Sequence, residues 1–374
     1  MNLIKKILIA FIIIIFSYII WRLLMKRNII LKGMDNQSGQ TIEPFDLGVY
    51  TDPAKAELNK LIDKKITLNM QSIQPEYANL PLKEYCIKGA YNSAYTGTYM
   101  NYDMLTYLLG RGVRFFDLEV YYVKDPTTGD YSPQVGYSTD GKFVSMESTN
   151  TLLLDNVLST LVAGAFSNTS PNGGDPLFIN LRIKSNNTDV YHAVASSVDY
   201  VLKSKLFINS DGSRKVTQNT RMSQLLGKVV LLVDKTIDRD YKSHCACAKD
   251  KQTCYDLTKY INIESGGEDM NLNRYTDILA QNPVPIKIKN DNLRTDIQNM
   301  NMAFPNVLPE NASNPEISTF ITNYGIEIVP FKFYQKDDGL LQYETFFNDN
   351  NAGLIPLARS LAYFQKMDRI QNGG

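Results

Sequence analysis

The sequence predicts an α/β protein, a TIM-like βα barrel preceded by one N-terminal transmembrane helix. Three observations carry that prediction. From Leu80 onward, short apolar runs rich in β-branched and aromatic residues alternate with stretches of helical periodicity. Such alternation builds a parallel sheet covered by helices, most economically closed into one barrel. No glycine-rich nucleotide loop follows any of the strands, which disfavours an open doubly wound sheet. Finally, Ile7 to Trp21 is an unbroken apolar run that Leu23 to Met25 extend past Arg22, and about 20 helical residues span a hydrocarbon core about 30 Å thick.

Three regions follow from this reading: an anchor with basic flanks (1–27), a juxtamembrane tether (28–75) and the barrel (76–374). A cleaved signal peptide is disfavoured because Trp21, Arg22, Lys26 and Arg27 follow the apolar run, where cleavage would need small residues. Lys5 and Lys6 stand against Arg22, Lys26, Arg27 and Lys32, which favours a body on the cytoplasmic side. Asn-x-Ser/Thr sequons beginning at Asn36, Asn168, Asn186 and Asn311 point the other way, so the orientation stays open.

Within the tether, Pro53–Lys65 reads as an amphipathic helix. Glu84–Gly89 then reads as a strand and Tyr102–Leu109 as a helix. Val113–Val123 is a strand, and Thr149–Phe166 a helix with a threonine cap. Pro176–Ile183, Asp189–Lys203 and Lys228–Asp234 continue the alternation as strand, helix and strand. Beyond them the pattern weakens. Pro285–Ile288 and Ile326–Phe333 read as strands, Glu316–Tyr324 and Leu340–Phe347 as helices.

Lys+Arg 39 balance Asp+Glu 39, so nucleic acid is not an expected partner. The two histidines are His192 and His244, and three of the four cysteines fall in HCACAKDKQTC, beside His244. That segment allows a zinc site, a local disulfide or free thiols, although its spacing matches no common zinc pattern.

Three strand ends concentrate polar groups: IKGAYNS, RGVRFFDLEVYY and DPLFINLRIKS. Side chains alternate faces along a strand. Phe115, Asp117 and Glu119 therefore share one face, and Arg114, Phe116, Leu118 and Val120 the other. On the third segment, Asn180, Arg182 and Lys184 oppose Leu177, Ile179, Leu181 and Ile183. In a barrel one face meets the helices and the other points inward, so the parity puts Asp117, Glu119 and Arg182 inside together. Two carboxylates on one apolar strand would repel each other without a cation or base between them.

In this order the segments resemble the catalytic X region of phosphatidylinositol-specific phospholipases C. The family pattern of a Gly-Ser-His-Asn-Ser/Thr loop, Gly-x-Arg-x-x-Asp/Glu-x-Asp/Arg and a Pro-hydrophobic-Leu-Glu strand reads here as GAYNS, GVRFFDLE and PLFINLR. The likeness is strongest over Leu82–Asp234. LRIKS and VPFKFYQKDDGLLQY are similar to the divergent branch found in large DNA viruses, which implies a virion or host-membrane setting. The resemblance implies a βα barrel that cleaves an inositol lipid by attack of the inositol 2-hydroxyl.

That chemistry needs a general base and a general acid, each contributing about 10²–10⁴-fold, and the family uses two histidines. At the first position this chain has Tyr91; at the second, Tyr137 or Ser138. In the animal enzymes calcium is held by a loop asparagine, two carboxylates and a glutamate. Asn92, Asp117 and Glu119 match three of these, while Arg182 stands at the fourth and would repel a divalent cation. The expectation is therefore a metal-free, catalytically silent membrane or virion protein that binds a phosphorylated headgroup. Asn92, Arg114 and Lys184 are its candidate substrate contacts, and Tyr91, Asp117, Glu119, Tyr137 and Arg182 stand at the family's catalytic positions. The alternative is an active, metal-independent phosphodiesterase with Arg182 as electrophile and Asp117 or Glu119 as base. Against both stands the plainer reading of a buried ion network in a barrel mouth.

Overall fold

The computed structural model describes residues 52–62, 68–139, 146–247, 254–289, 293–306 and 312–371. The expected anchor, 1–27, lies outside them. Among the described residues no helix is long and apolar enough to cross a membrane.

The strands are β1 (Tyr85–Ile87), β2 (Gly89–Ala90), β3 (Phe115–Lys124), β4 (Tyr131–Gly136), β5 (Leu152–Leu153), β6 (Leu177–Ile183), β7 (Val229–Asp234), β8 (Ile263–Ser265), β9 (Asn271–Arg274), β10 (Asn301–Phe304) and β11 (Leu354–Pro356). Helices of eight or more residues are α1 (Pro53–Leu61), α2 (Tyr102–Gly110), α3 (Leu154–Ala165), α4 (Asp189–Leu202), α5 (Ile317–Tyr324), α6 (Asp338–Asp349) and α7 (Leu357–Gln371).

Parallel pairing runs β2–β3–β6–β7–β8. It resumes as β9–β10, and single parallel bridges join Met302 to Ile328, Ile328 to Ile87 and Phe331 to Ala90. These contacts trace a TIM-like ring with one seam, between β8 and β9. Only residues 266–270 separate those two strands, too few for a covering helix. A cavity of about 640 Å³ lies beside β8. Its three lysines are paired, Lys235 and Lys242 with Glu264 and Lys215 with Asp269.

Strand parity sorts the core into two clusters. Phe115, Phe178, Val230, Leu232, Ile263, Met302, Phe304 and Ile328 pack together within the ring. Phe116, Leu118, Val120, Ile179, Leu181, Leu231 and Val233 pack in the cluster that also holds the apolar faces of α2, α3 and α4. Chain reversal between α2 and β3 uses Gly112 at φ +76, where a Cβ would lie 2.8 Å from Met70 Cγ. A glycine meets both demands without strain.

Four expectations change. Part of the expected tether belongs to the body, because the compact unit starts at Pro53, with Leu58 and Met70 buried. The helix expected from Thr149 starts at Leu154 without a side-chain cap, since Leu152 and Leu153 are drawn into pairing with β4. Pro285–Ile288 forms no strand beyond a bridge from Ile288 to Thr295. Pro283 and Pro285 lack the N–H a ladder needs, and Val284 is 72% exposed. Ile326–Phe333 forms no continuous strand and joins the ring by single bridges at Ile328 and Phe331. In the cysteine segment, Cys247 and Cys254 form a disulfide, while Cys86 and Cys245 are buried free thiols. His244 contacts Asp238 and no sulfur.

Candidate functional site

The register of β3 against β6 sets Asp117 opposite Asn180 and Glu119 opposite Arg182. All four side chains are buried, and the predicted meeting of Asp117, Glu119 and Arg182 is observed. Arg182 donates from Nη1 to Glu119 Oε1 at 2.6 Å, from Nη2 to Asp117 Oδ2 at 2.6 Å and from Nε to Asp117 Oδ1 at 2.9 Å. Its Nη2 also donates to Asn92 Oδ1 at 2.5 Å. One planar guanidinium thus serves two carboxylates and an amide, which its fork of donors allows and an ammonium would not.

A second ring of contacts fixes the carboxylates. Asn180 donates to Asp117 Oδ1 at 3.0 Å and accepts from Ser265 Oγ at 2.9 Å. Glu119 Oε2 accepts from Tyr121 Oη at 2.7 Å and from the Ser138 N–H at 3.0 Å, and pairs with Lys184 Nζ at 3.0 Å.

The loop after β2 closes over this cluster. Asn92 adopts φ 45, a conformation asparagine tolerates better than most residues, and its N–H donates to Asp117 Oδ2 at 3.2 Å. Ser93 Oγ donates to Ala90 O at 2.9 Å and accepts from the Asp117 N–H at 3.0 Å. The loop is thereby locked to β3. Tyr91 lies over the guanidinium with 4.5 Å between Arg182 Cζ and its ring centroid, and meets Phe304 edge-on at 5.5 Å. Tyr137 is buried and stacks on Tyr95 at 4.1 Å, with Tyr334 edge-on to both. Tyr91, Tyr137, Ser138, Thr139, Asn306, Lys332 and Tyr334 leave a cavity of about 10 Å³ between them, room for about one water.

Burial would push the Glu119 carboxyl up, but Arg182 and Lys184 outweigh it and hold it below its ordinary value. Burial likewise opposes the charge on Arg182, yet Asp117, Tyr91 and Glu119 keep it firmly protonated. The Tyr91 hydroxyl is pushed up by burial despite its cation neighbour. Lys184 is lowered by burial, only partly offset by Glu119. Asp234, at the end of β7, is raised by burial, and its Oδ2 has no hydrogen-bond partner among the described residues.

Arg114 is not brought to the cluster. It is fully buried just ahead of β3, where Nη1 donates to Ala165 O at 3.0 Å and Nη2 to Ser170 Oγ at 2.8 Å and Asn172 Oδ1 at 2.7 Å. It ties the C-terminal end of α3 to the sheet, and no headgroup reaches it there. Both histidines also lie away from the cluster, His192 beside Tyr255 and Cys254 and His244 beside Asp238. The sequence reading missed Tyr121 and Lys332. Tyr121 lies two residues beyond Glu119 on the same strand face, and Lys332 shares strand parity with Ile328, so alternation was the signal for both.

Residues 78–235 match the family model described as phosphatidylinositol-specific phospholipase C, X domain. No curated protein matches the chain. Among solved structures, PLC21 of L. pealei has a TM-score of 0.55 at 14% identity, over 86% of this chain and 46% of its own. PLC21 of S. officinalis has a TM-score of 0.55 at 15% identity, over 87% and 47%. The chain thus spans less than half the length of either, and at these identities the likeness shows the fold alone. A calcium-dependent phosphoinositol-specific phospholipase C from Pseudomonas sp. has a TM-score of 0.46 at 13% identity, over 76% of this chain and 97% of its own. Residues 78–235 are thus similar to the phosphatidylinositol-specific phospholipase C X domain, and the chain has a phospholipase C-like α/β fold.

Proposed function

We propose that this chain is a membrane-anchored phospholipase C-like protein whose site is catalytically silent, with an arginine in place of both metal and chemistry. The carrying observation is the Arg182 guanidinium bound at once to Asp117, Glu119 and Asn92. A divalent cation does not fit this donor set. The oxygens that would face it already accept from a fixed positive charge, so calcium dependence is not expected.

Proton transfer is disabled on the same grounds. A phenol pushed up by burial is a poor base at Tyr91, and a carboxylate held low is a poor base at Glu119. The apolar run Ile7–Trp21 supports attachment to a membrane or virion envelope. A phosphorylated headgroup would enter only where Tyr137, Tyr334 and Lys332 part, and Lys184 and Lys332 supply the charge to receive it.

A second reading, an active metal-independent phosphodiesterase, is favoured by one observation. Asp234 is a carboxyl that burial pushes above its ordinary value, and its Oδ2 has no hydrogen-bond partner among the described residues, the kind of environment that suits a general acid or base. The full chain in mixed micelles with phosphatidylinositol, assayed for cyclic inositol phosphate with calcium and with chelator, separates the two. The silent reading expects background in both. Turnover abolished by both Arg182→Ala and Asp234→Asn would establish the second. Flotation with vesicles of varied phosphoinositide content tests the headgroup, and equal binding to all compositions removes it.

A further inference from the structure

The loop that leaves Cys245 returns to the body at Cys254, and there it meets α4. His192, in the first turn of that helix, places Nδ1 2.9 Å from Tyr255 O and 3.4 Å from Cys254 Sγ. A carbonyl oxygen only accepts, so the 2.9 Å contact requires the proton to sit on Nδ1. That N–H, shared with the Tyr255 carbonyl, also lies within reach of one sulfur of the Cys247–Cys254 disulfide, that of Cys254. None of His192, Cys247 and Cys254 is buried. The two remaining thiols, Cys86 and Cys245, are buried, and burial pushes both up, Cys245 to about 11.

From this geometry we propose that Cys247–Cys254 is a directed thiol–disulfide exchange site, with Cys247 the sulfur attacked by a small thiol and Cys254 the leaving sulfur assisted by His192. The balance is simple. A low-molecular-weight thiolate, RS⁻, forms a bond to Cys247 Sγ as the Cys247–Cys254 bond breaks. The electron pair goes to Cys254 Sγ, which becomes a thiolate facing the Nδ1–H. No net oxidation occurs in this step: one disulfide is replaced by another, RS–SCys247. A second equivalent of thiol then releases RSSR and leaves both cysteines reduced. Exchange is faster when the leaving thiolate is stabilised, and the histidine stabilises only one of the two candidates. The asymmetry predicts where the adduct forms. Nothing in the barrel's phospholipase C-like cluster takes part, so this inference stands or falls apart from the reading of Arg182.

The test treats the full chain with reduced glutathione for short times, quenches with acid and locates the adduct by peptide mass spectrometry. The expected result is glutathione on Cys247 in clear excess over Cys254. His192→Ala is expected to slow the first step about fivefold, the worth of one ordinary hydrogen bond, and to even out the two adducts. His192→Asn, whose amide N–H can stand where Nδ1–H stands, is expected to restore both rate and preference. Equal adducts in the unaltered chain would overturn the proposal, as would an unchanged rate in His192→Ala. Recovery of both residues as free thiols from air-equilibrated protein would do the same. Circular dichroism of each variant separates loss of fold from loss of direction.

Discussion

Two buried arginines on neighbouring segments of the sheet, facing opposite sides of it, show how much one strand face decides. Arg182 points into the ring and meets two carboxylates. Arg114 points out of it and meets carbonyls, a hydroxyl and an amide. Both are fully buried, yet one neutralises charge and the other ties off the end of a helix. Buried arginine as such therefore says little about ligands. The partners say it.

The difference is measurable. Arg182→Ala strands Asp117 and Glu119 without their cation and is expected to cost about 3–5 kcal/mol in urea unfolding, the usual penalty for breaking a buried pair. Adding Asp117→Asn and Glu119→Gln is expected to recover part of that loss. If it recovers nothing, charge is not what Arg182 supplies. Arg114→Ala leaves neutral hydrogen-bond acceptors bare, with Asp175 as the one carboxyl whose charge it offsets, and is expected to cost about 2–3 kcal/mol. An equal or larger loss than Arg182→Ala would erase the contrast.

A third effect, no larger than the second, lies in pH dependence, where the two neighbourhoods have opposite signs. Glu119 titrates below its ordinary 4.5, so it contributes stability above that value that is lost as pH falls through its lower folded value. Asp175, near Arg114, is raised by burial from 3.8 to about 6. Its contribution is full below 3.8 and is lost as pH rises through about 6. Asp175→Asn keeps an acceptor for the Ile73 N–H and is expected to remove that loss, raising stability at pH 7 relative to pH 4 by about 2–3 kcal/mol. Parallel pH profiles of the two proteins would show that Asp175 does not titrate in this range.

Much of the site was legible because alternation is strict. The parity of FFDLE and NLRIK places Asp117, Glu119, Asn180 and Arg182 on facing sides without any coordinates, and the same parity already placed Arg114 elsewhere. The phosphate role expected for Arg114 overlooked it. The first half of the ring was legible for the same reason, since β3, β6 and β7 are each at least six residues long. β8, β9 and β10 have three or four residues, too few for a period to stand out, and the expected strand at Pro285 took their place. The encounter of His192 with Cys254 spans 62 positions and leaves no local signal.

Glu57 has a reach out of proportion to its place near the start of the compact unit. From α1 its Oε2 accepts from Thr96 Oγ1, the Thr98 N–H and the Tyr99 N–H, on the loop that carries Tyr95 against Tyr137. A single carboxylate on α1 thus holds in place the loop that carries the tyrosine wall shutting the pocket.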